Sequence, residues 1–296
     1  MLIERANAKI NLFLDVLSKR ENGYHNIASL MHSVSLCDLV SIDFRPERHT
    51  AIRMEASGNP LMPTDCRNLA WRAAEKFLLE TGMTGKVTIR IEKHIPMAAG
   101  LAGGSTDAAA VLRGLNRLAG EPLSLEDLCR VGATLGADVP FCVLGGAALV
   151  EGIGERMTPM PPMPSCPMVV ACMGEGVSTP WAYGELDRRY AEFTPPRAVS
   201  SRANALLDAL KEGNVEGILE NGFNLFAPVV EEMRPAVLAC KSRMYEHGAR
   251  FAMMSGSGPS VFGVFSTVEE ADAACRALTA AGASAFVCHP AGPARK

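Results

Sequence analysis

Residues Pro96 to Asp107 read Pro-Met-Ala-Ala-Gly-Leu-Ala-Gly-Gly-Ser-Thr-Asp, between an alternating strand pattern and a long alanine-rich helical one. No other stretch restricts the fold as much. Upstream, Val87, Ile89 and Ile91 alternate with Thr88, Arg90 and Glu92, the period of a half-buried strand. Downstream, Ala108, Val111, Leu112, Leu115 and Leu118 recur at helical spacing. A helix that starts straight after a glycine-rich turn presents unpaired N–H groups there, where a negative group is stabilised. Gly100, Gly103 and Gly104 are expected to let the backbone turn tightly and approach a ligand without a Cβ in the way. Ser105 or Thr106 is expected to cap the helix and reach a phosphate oxygen or its Mg2+. Asp107 is expected to complement the dipole in the first turn. The loop is not a Walker A sequence, since no Gly-Lys-Ser/Thr follows, and it is not Gly-x-Gly-x-x-Gly. Taken alone, its competing reading is a glycine-rich strand-to-helix turn with a Ser/Thr cap.

The 296 residues suit one large or two medium domains. A net charge of -3 argues against nucleic acid and against a polybasic membrane surface as partners. Nine cysteines, an odd number with no Cys-x-x-Cys pair, exclude a disulfide framework or zinc ribbon and suggest a reducing cytoplasm. The weakly polar run Val139 to Val150 is broken by Pro140 and two glycines, so no bilayer span is expected. Met1 leads almost directly into a strand pattern, so no leader is expected.

Along the chain, Ile10, Leu12, Leu14 and Val16 alternate with Asn11, Phe13 and Asp15 in an early strand. Further strands are expected over 27–36 and 39–44, and helices over 68–80 and from Ser124 to Gly136. The proline-dense stretch Thr158 to Pro167 marks the best domain junction, dividing the chain into 1–160 and 161–296. Beyond it come a strand at 168–173, a helix capped by Thr179 with Pro180 next, and helices over 201–211 and 229–247. The tail reads strand (251–254), glycine turn, strand (260–265), helix (268–281), strand (285–288), which suggests half of an α+β sandwich.

Ala8-Lys9-Ile10-Asn11-Leu12, the loop from Pro96 to Asp107, and Ser255-Gly256-Ser257-Gly258-Pro259-Ser260-Val261-Phe262 together resemble the three signatures of the GHMP kinases. Ala-Lys-Ile-Asn-Leu-Phe-Leu at 8–14, Gly23-Tyr24-His25, Gly-Ala-Asp-Val-Pro-Phe at 136–141 and Val177-Ser178-Thr179-Pro180 are most similar to members whose acceptor carries a cytidine diphosphate. One departure is Asn221-Gly222-Phe223-Asn224, where the pattern has Asn-Asp plus a Glu. The resemblance implies an α/β (α+β) fold in two lobes: an N-terminal ATP-binding lobe and a C-terminal ferredoxin-like sandwich on the substrate side. It implies ATP and Mg2+ as cofactors, and transfer of the γ-phosphoryl group to the 2-hydroxyl of a methylerythritol unit in isoprenoid precursor synthesis. It also implies a small-molecule partner and a cytoplasmic monomer or weak homodimer. A homoserine, mevalonate or sugar acceptor is the alternative within the family; a non-catalytic nucleotide-binding regulator is the alternative outside it.

Phosphoryl transfer needs a carboxylate to orient the hydroxyl and take its proton. Asp138 is the candidate, following a Gly-Ala turn and preceding Val139-Pro140; a helix-end turn aspartate is the competing reading. Lys9 sits on an otherwise apolar strand, costly for a buried lysine without a partner or function. It is expected to hold Asp138 ionised, or to stabilise charge on the transferring group. Lys9 is ordinary if its face of the strand meets solvent. By resemblance, Pro96, Met97, Ala98, Ala99, Gly100, Leu101, Ala102, Gly103, Gly104, Ser105 and Thr106 wrap the ATP phosphates, with Ser105 as the Mg2+ ligand. Lys93 and Asn68 fall at the adenosine end, although Asn68 reads equally as a helix N-cap. Tyr24 and His25 are implied to hold the cytosine, Tyr183 to supply a second stacking surface, and Asn11 and Thr179 to contact the acceptor. His32, His49, His94, His247 and His289 show no metal spacing.

Overall fold

The structure, a computed structural model, describes residues 1–189 and 198–294. The first half runs β1 (Leu2–Lys19), β2 (His25–Pro46), β3 (Ala51–Ser57), α1 (Leu69–Thr81), β4 (Gly85–Glu92), α2 (Gly103–Leu118), α3 (Leu125–Ala133), α4 (Val139–Leu144), β5 (Ala147–Gly152) and β6 (Arg156–Met160). The second half continues with β7 (Met168–Cys172), α5 (Thr179–Arg189), α6 (Ser201–Glu212), α7 (Val215–Asn221), β8 (Phe223–Asn224), α8 (Ala227–Met233), α9 (Pro235–Glu246), β9 (Phe251–Met254), β10 (Val261–Val264), α10 (Val268–Ala280) and β11 (Ser284–Cys288).

The two strands expected at 27–36 and 39–44 are one. Its first part pairs with β5 and its last part with β4, while β1 lies antiparallel along both. Between the pairs Lys9↔Ser33 and Asn7↔Cys37 the register shifts, and the extra residues of β2 form a bulge where it changes partners. The first sheet has the order β3-β4-β2-β1-β8, with β5 and β6 continuing from β2. Helices α1 and α2 cover it through a core of Phe77, Leu78, Ile89, Val111 and Leu112.

The second sheet has the order β11-β7-β10-β9, all antiparallel. Strand β7, the following helices, the β9–β10 hairpin, α10 and β11 make the ferredoxin-like arrangement implied by the resemblance. One apolar cluster joins the sheets, with Phe13 of β1 and Phe262 of β10 among its fully buried members. The helix expected over 229–247 divides at Arg234 (φ -131°, ψ 78°), because Pro235 cannot follow a helical residue without a clash. All nine cysteines are free thiols. Among the described residues no helix is long and apolar enough to cross a membrane.

Candidate active site

The loop after β4 has a backbone its glycines alone did not predict. Left-handed φ falls on Ala98 (51°), Gly100 (75°) and Ala102 (58°), with Ala99 and Leu101 between them on the ordinary side. This alternation turns successive N–H groups toward one concavity, a nest suited to an anion. From Gly100 to Ser105 no backbone N–H finds a protein acceptor among the described residues. Helix α2 starts at Gly103 with Ala102 as its N-cap and no side-chain cap bond, so neither Ser105 nor Thr106 caps it. Thr106 points away, donating from Oγ1 to Asn7 O at 2.8 Å, and Asp107 is buried behind the loop rather than complementing the dipole at its surface. Gly103 and Gly104 open the helix; Gly100 alone carries the strained turn of the three.

The loop docks on the 255–260 turn. Ser260 N donates to Ala99 O at 3.2 Å and Ser255 Oγ to Gly100 O at 3.0 Å. On the other side, Lys9 N donates to Leu101 O at 3.1 Å. Both faces of β1 are buried from Ala8 to Val16, which removes the solvent-facing reading of Lys9; its side chain is only 4% exposed. Its ammonium donates to Asn11 Oδ1 at 2.7 Å rather than pairing with Asp138. Asn11 Oδ1 also accepts Gly256 N at 2.9 Å, and Asn11 Nδ2 donates to Ser29 Oγ at 2.8 Å. Asp138 sits in the turn at the start of α4, the position the turn-aspartate reading expects, but its side chain makes no cap bond there.

Lys9, Asn11, Gly100, Gly103, Ser105, Asp138, Thr179, Tyr183, Gly256 and Ser257 line a common cavity of about 390 Å³. A Cβ on Gly136 would lie 3.9 Å from Ser105 Oγ, which sets the first turn of α2 beside the turn leading to Asp138. Burial pushes the Cys142 thiol up to about 12; the charge of Asp138 adds to this and that of Lys9 opposes it, so both reach the same buried atom.

Thr179 Oγ1 and Ser257 Oγ are hydrogen-bonded at 2.9 Å on the cavity wall. Helix α5 is entered one residue earlier than expected, with Ala182 N donating to Ser178 O. Tyr183 stacks on His25 with ring centroids 4.6 Å apart and meets Phe226 edge-on at 4.9 Å. Burial pushes its hydroxyl up to about 12, and the charge of Asp138 adds to that. His25 Nε2 lies 2.7 Å from Asp187 Oδ1, and Lys19 Nζ 2.5 Å from Asp187 Oδ2. Burial works to raise the Asp187 carboxyl, but the hydrogen bonds from Lys19 and His25 prevail and hold it below the usual range. Tyr24, 61% exposed, is not among the cavity-lining residues.

Asn68 is the N-cap of α1, accepting Ala70 N at 2.9 Å and donating to Pro63 O at 2.8 Å. Asn68→Ala is expected to cost about 1 kcal/mol of stability, read as a lower Tm; a loss of ATP affinity beyond that would mark an adenosine contact. Lys93 is buried between Asp38 and Asp107 and does not line the cavity. Pro96, Met97, Leu101 and Thr106 also stand outside the lining. Sequence reasoning missed Asp187, Ser257, Phe226 and Asn224. The departing segment holds the last of these: β8 pairs parallel with β1, and Asn224 Nδ2 donates to Met254 O and Gly256 O at 2.9 and 2.8 Å.

Two family models match the chain, GHMP kinases N terminal domain over residues 68–146 and GHMP kinases C terminal over 206–284. A relative from Caldicellulosiruptor saccharolyticus, a 4-diphosphocytidyl-2-C-methyl-D-erythritol kinase, is 43% identical over 91% of this chain and 90% of its own. The chain belongs to the GHMP kinases. A relative of the same name from Gloeobacter violaceus is 43% identical over 96% of this GHMP kinase and 92% of its own length. Among solved structures, that of a 4-(cytidine 5'-diphospho)-2C-methyl-D-erythritol kinase superposes with a TM-score of 0.82 at 33% identity, covering 98% of this chain and 100% of the other. The mevalonate kinase of L. major, at 14% identity and a TM-score of 0.71 over 100% of this chain and 97% of its own, shares the fold. This GHMP kinase is an ATP-dependent small-molecule kinase.

Proposed function

We propose that the enzyme transfers the γ-phosphoryl group of ATP to the 2-hydroxyl of 4-diphosphocytidyl-2-C-methyl-D-erythritol, a step toward isoprenoid precursors. One observation carries the chemistry: the unbonded N–H run of the loop, Lys9 and Asp138 meet on a single cavity. The N–H groups hold the phosphates, so the γ-phosphorus presents its open side to the acceptor. Such transfers pass through a loose transition state, and the protein chiefly positions reactants and offsets spreading charge. Asp138 accepts the hydroxyl proton as the oxygen–phosphorus bond forms, and the bond to the bridging oxygen of ADP breaks. Lys9, oriented by Asn11, offsets the charge on the transferring group. Ser105 Oγ lines the cavity without a protein hydrogen bond among the described residues and is the side chain fitted to hold Mg2+. No group of three His, Cys, Asp or Glu suited to a metal occurs among the described residues. When bound, Mg2+ would offset the charge of the phosphates, with Ser105 as its protein ligand.

In this reading the cytosine lies at the end of the cavity lined by Tyr183, whose ring stacks on His25, itself hydrogen-bonded to Asp187. His25→Ala is therefore expected to raise the KM for the acceptor about tenfold or more and leave the KM for ATP within about twofold. Steady-state kinetics with each substrate varied in turn checks this. Residues 1–160 form the ATP-binding unit and 161–296 the acceptor side in this reading, and the nine free thiols suit the cytoplasm. The deciding experiment is a coupled ATP assay offering the cytidine diphosphate derivative of methylerythritol beside mevalonate, homoserine and galactose. Turnover of the cytidine compound, competed by CDP, is the expected result. Preference for any of the others would move the enzyme to another branch of the family.

A further inference from the structure

Behind the phosphate loop lie three buried charged side chains: Asp38 of β2, Lys93 just after β4, and Asp107 of α2, each less than a tenth exposed. The Lys93 ammonium donates to Asp107 Oδ2 at 2.9 Å and, at short range, to Asp38 Oδ2. Asp38 Oδ1 accepts the N–H groups of His94 and Ile95 at 2.6 and 2.8 Å, so both of its oxygens are used. Asp107 keeps one buried oxygen, Oδ1, with no partner. A Cβ on Gly103 would stand 3.0 Å from Lys93 Nζ, so the ammonium lies against the first residue of α2.

We propose that Asp38, Lys93 and Asp107 are positioning residues that set the affinity for ATP by anchoring both ends of the phosphate loop to one ion cluster. The inference rests on the reading that this loop holds the ATP phosphates. Lys93 to Ile95 lead into the loop and Asp107 follows it, so Asp38 and Lys93 tie the entry strand to the exit helix. Stability alone does not demand such a cluster, since apolar side chains of similar volume often replace buried ion groups without loss. Removing one member, however, leaves uncompensated charge and frees the helix start to shift. An asparagine has the same shape and keeps an oxygen to accept from the Lys93 ammonium where Asp107 Oδ2 now does, so the amide is a close substitute there, the more so because burial pushes the Asp107 carboxyl upward.

The test uses the full-length enzyme, with ATP binding followed by calorimetry and steady-state constants for both substrates. Asp107→Ala is expected to weaken ATP binding about tenfold or more, with kcat and acceptor KM changed less than about threefold, and Asp107→Asn to recover most of the lost affinity. Equal losses in ATP affinity, acceptor KM and kcat would reduce the cluster to a structural role and overturn the proposal, as would an Asn variant as poor as Ala. If Asp107→Ala does not fold, Asp107→Ser is judged by the same criteria. Wild-type enzyme that fails to bind ATP sinks the loop reading itself, whereas normal wild-type binding with an unaffected Ala variant sinks only the cluster.

Discussion

Asp138→Asn is expected to lower kcat by about 10²–10⁴-fold while ATP affinity stays within about twofold. The amide has the shape of the carboxylate but cannot take the hydroxyl proton, so the loss falls on the chemical step. The native side chain makes no cap bond at the start of α4, and little structure depends on it. The melting temperature should therefore move by no more than about 2 °C, since surface changes away from special contacts stay within about 0.5 kcal/mol. Single-turnover kinetics with ATP and acceptor, beside equilibrium ATP binding, separate chemistry from affinity. A kcat within threefold of wild type would remove Asp138 from the mechanism and leave Lys9 and the loop as an ATP site without a base. A fall in ATP affinity that matches the fall in kcat would instead make Asp138 part of the nucleotide site.

What the sequence made legible was what local period and turn chemistry encode. The alternation of β4, the helical spacing of α2 and the glycines between them placed the strand, the turn over 96–102 and the helix in that order. The shared parity of Lys9 and Asn11 placed both on one face of β1, and the structure joins them by a hydrogen bond. Parity could not tell whether that face met solvent, because β1 is covered on both sides. Nor could it find partners far along the chain. Asp38 carries no signal in its own window, Asp107 reads there as a first-turn carboxylate and Lys93 is set at the adenosine end by resemblance; only the meeting of β2 with α2 buries the three together. Asp187 is one charge on an amphipathic helix until β1 and β2 bring Lys19 and His25 to it. Asn224 lay in a segment that departs from the family pattern, and its role appears only through the turn it holds. The break at Arg234 follows from the chemistry of Pro235, which the helix expected over 229–247 runs across.

Gly100→Ala is expected to damage both stability and activity. At φ 75° an alanine pays the left-handed penalty of about 1–2 kcal/mol. Its Cβ would also stand 2.2 Å from Ser255 O, a backbone atom that cannot rotate away. Overpacking of this kind costs about 1–3 kcal/mol more, so about 2–5 kcal/mol is expected in total and a melting point lower by several degrees. Activity should suffer beyond stability, because the atom displaced belongs to the turn that, through Asn11, orients Lys9. Moving Ser255 draws Gly256 N from Asn11 Oδ1, and Asn11 is what holds the Lys9 ammonium. A shift of about 1 Å at a reacting centre can cost about 10²-fold, and kcat/KM should fall by that order even at temperatures where the variant is fully folded. Gly82→Ala supplies the comparison: its φ is 66°, yet nothing lies within 4 Å of the added carbon. That variant should carry the backbone strain alone and keep normal kinetics. If the two lose stability and activity alike, the contact between the phosphate loop and the 255–260 turn does not position Lys9, and the coupling of the ATP loop to the acceptor side must run elsewhere.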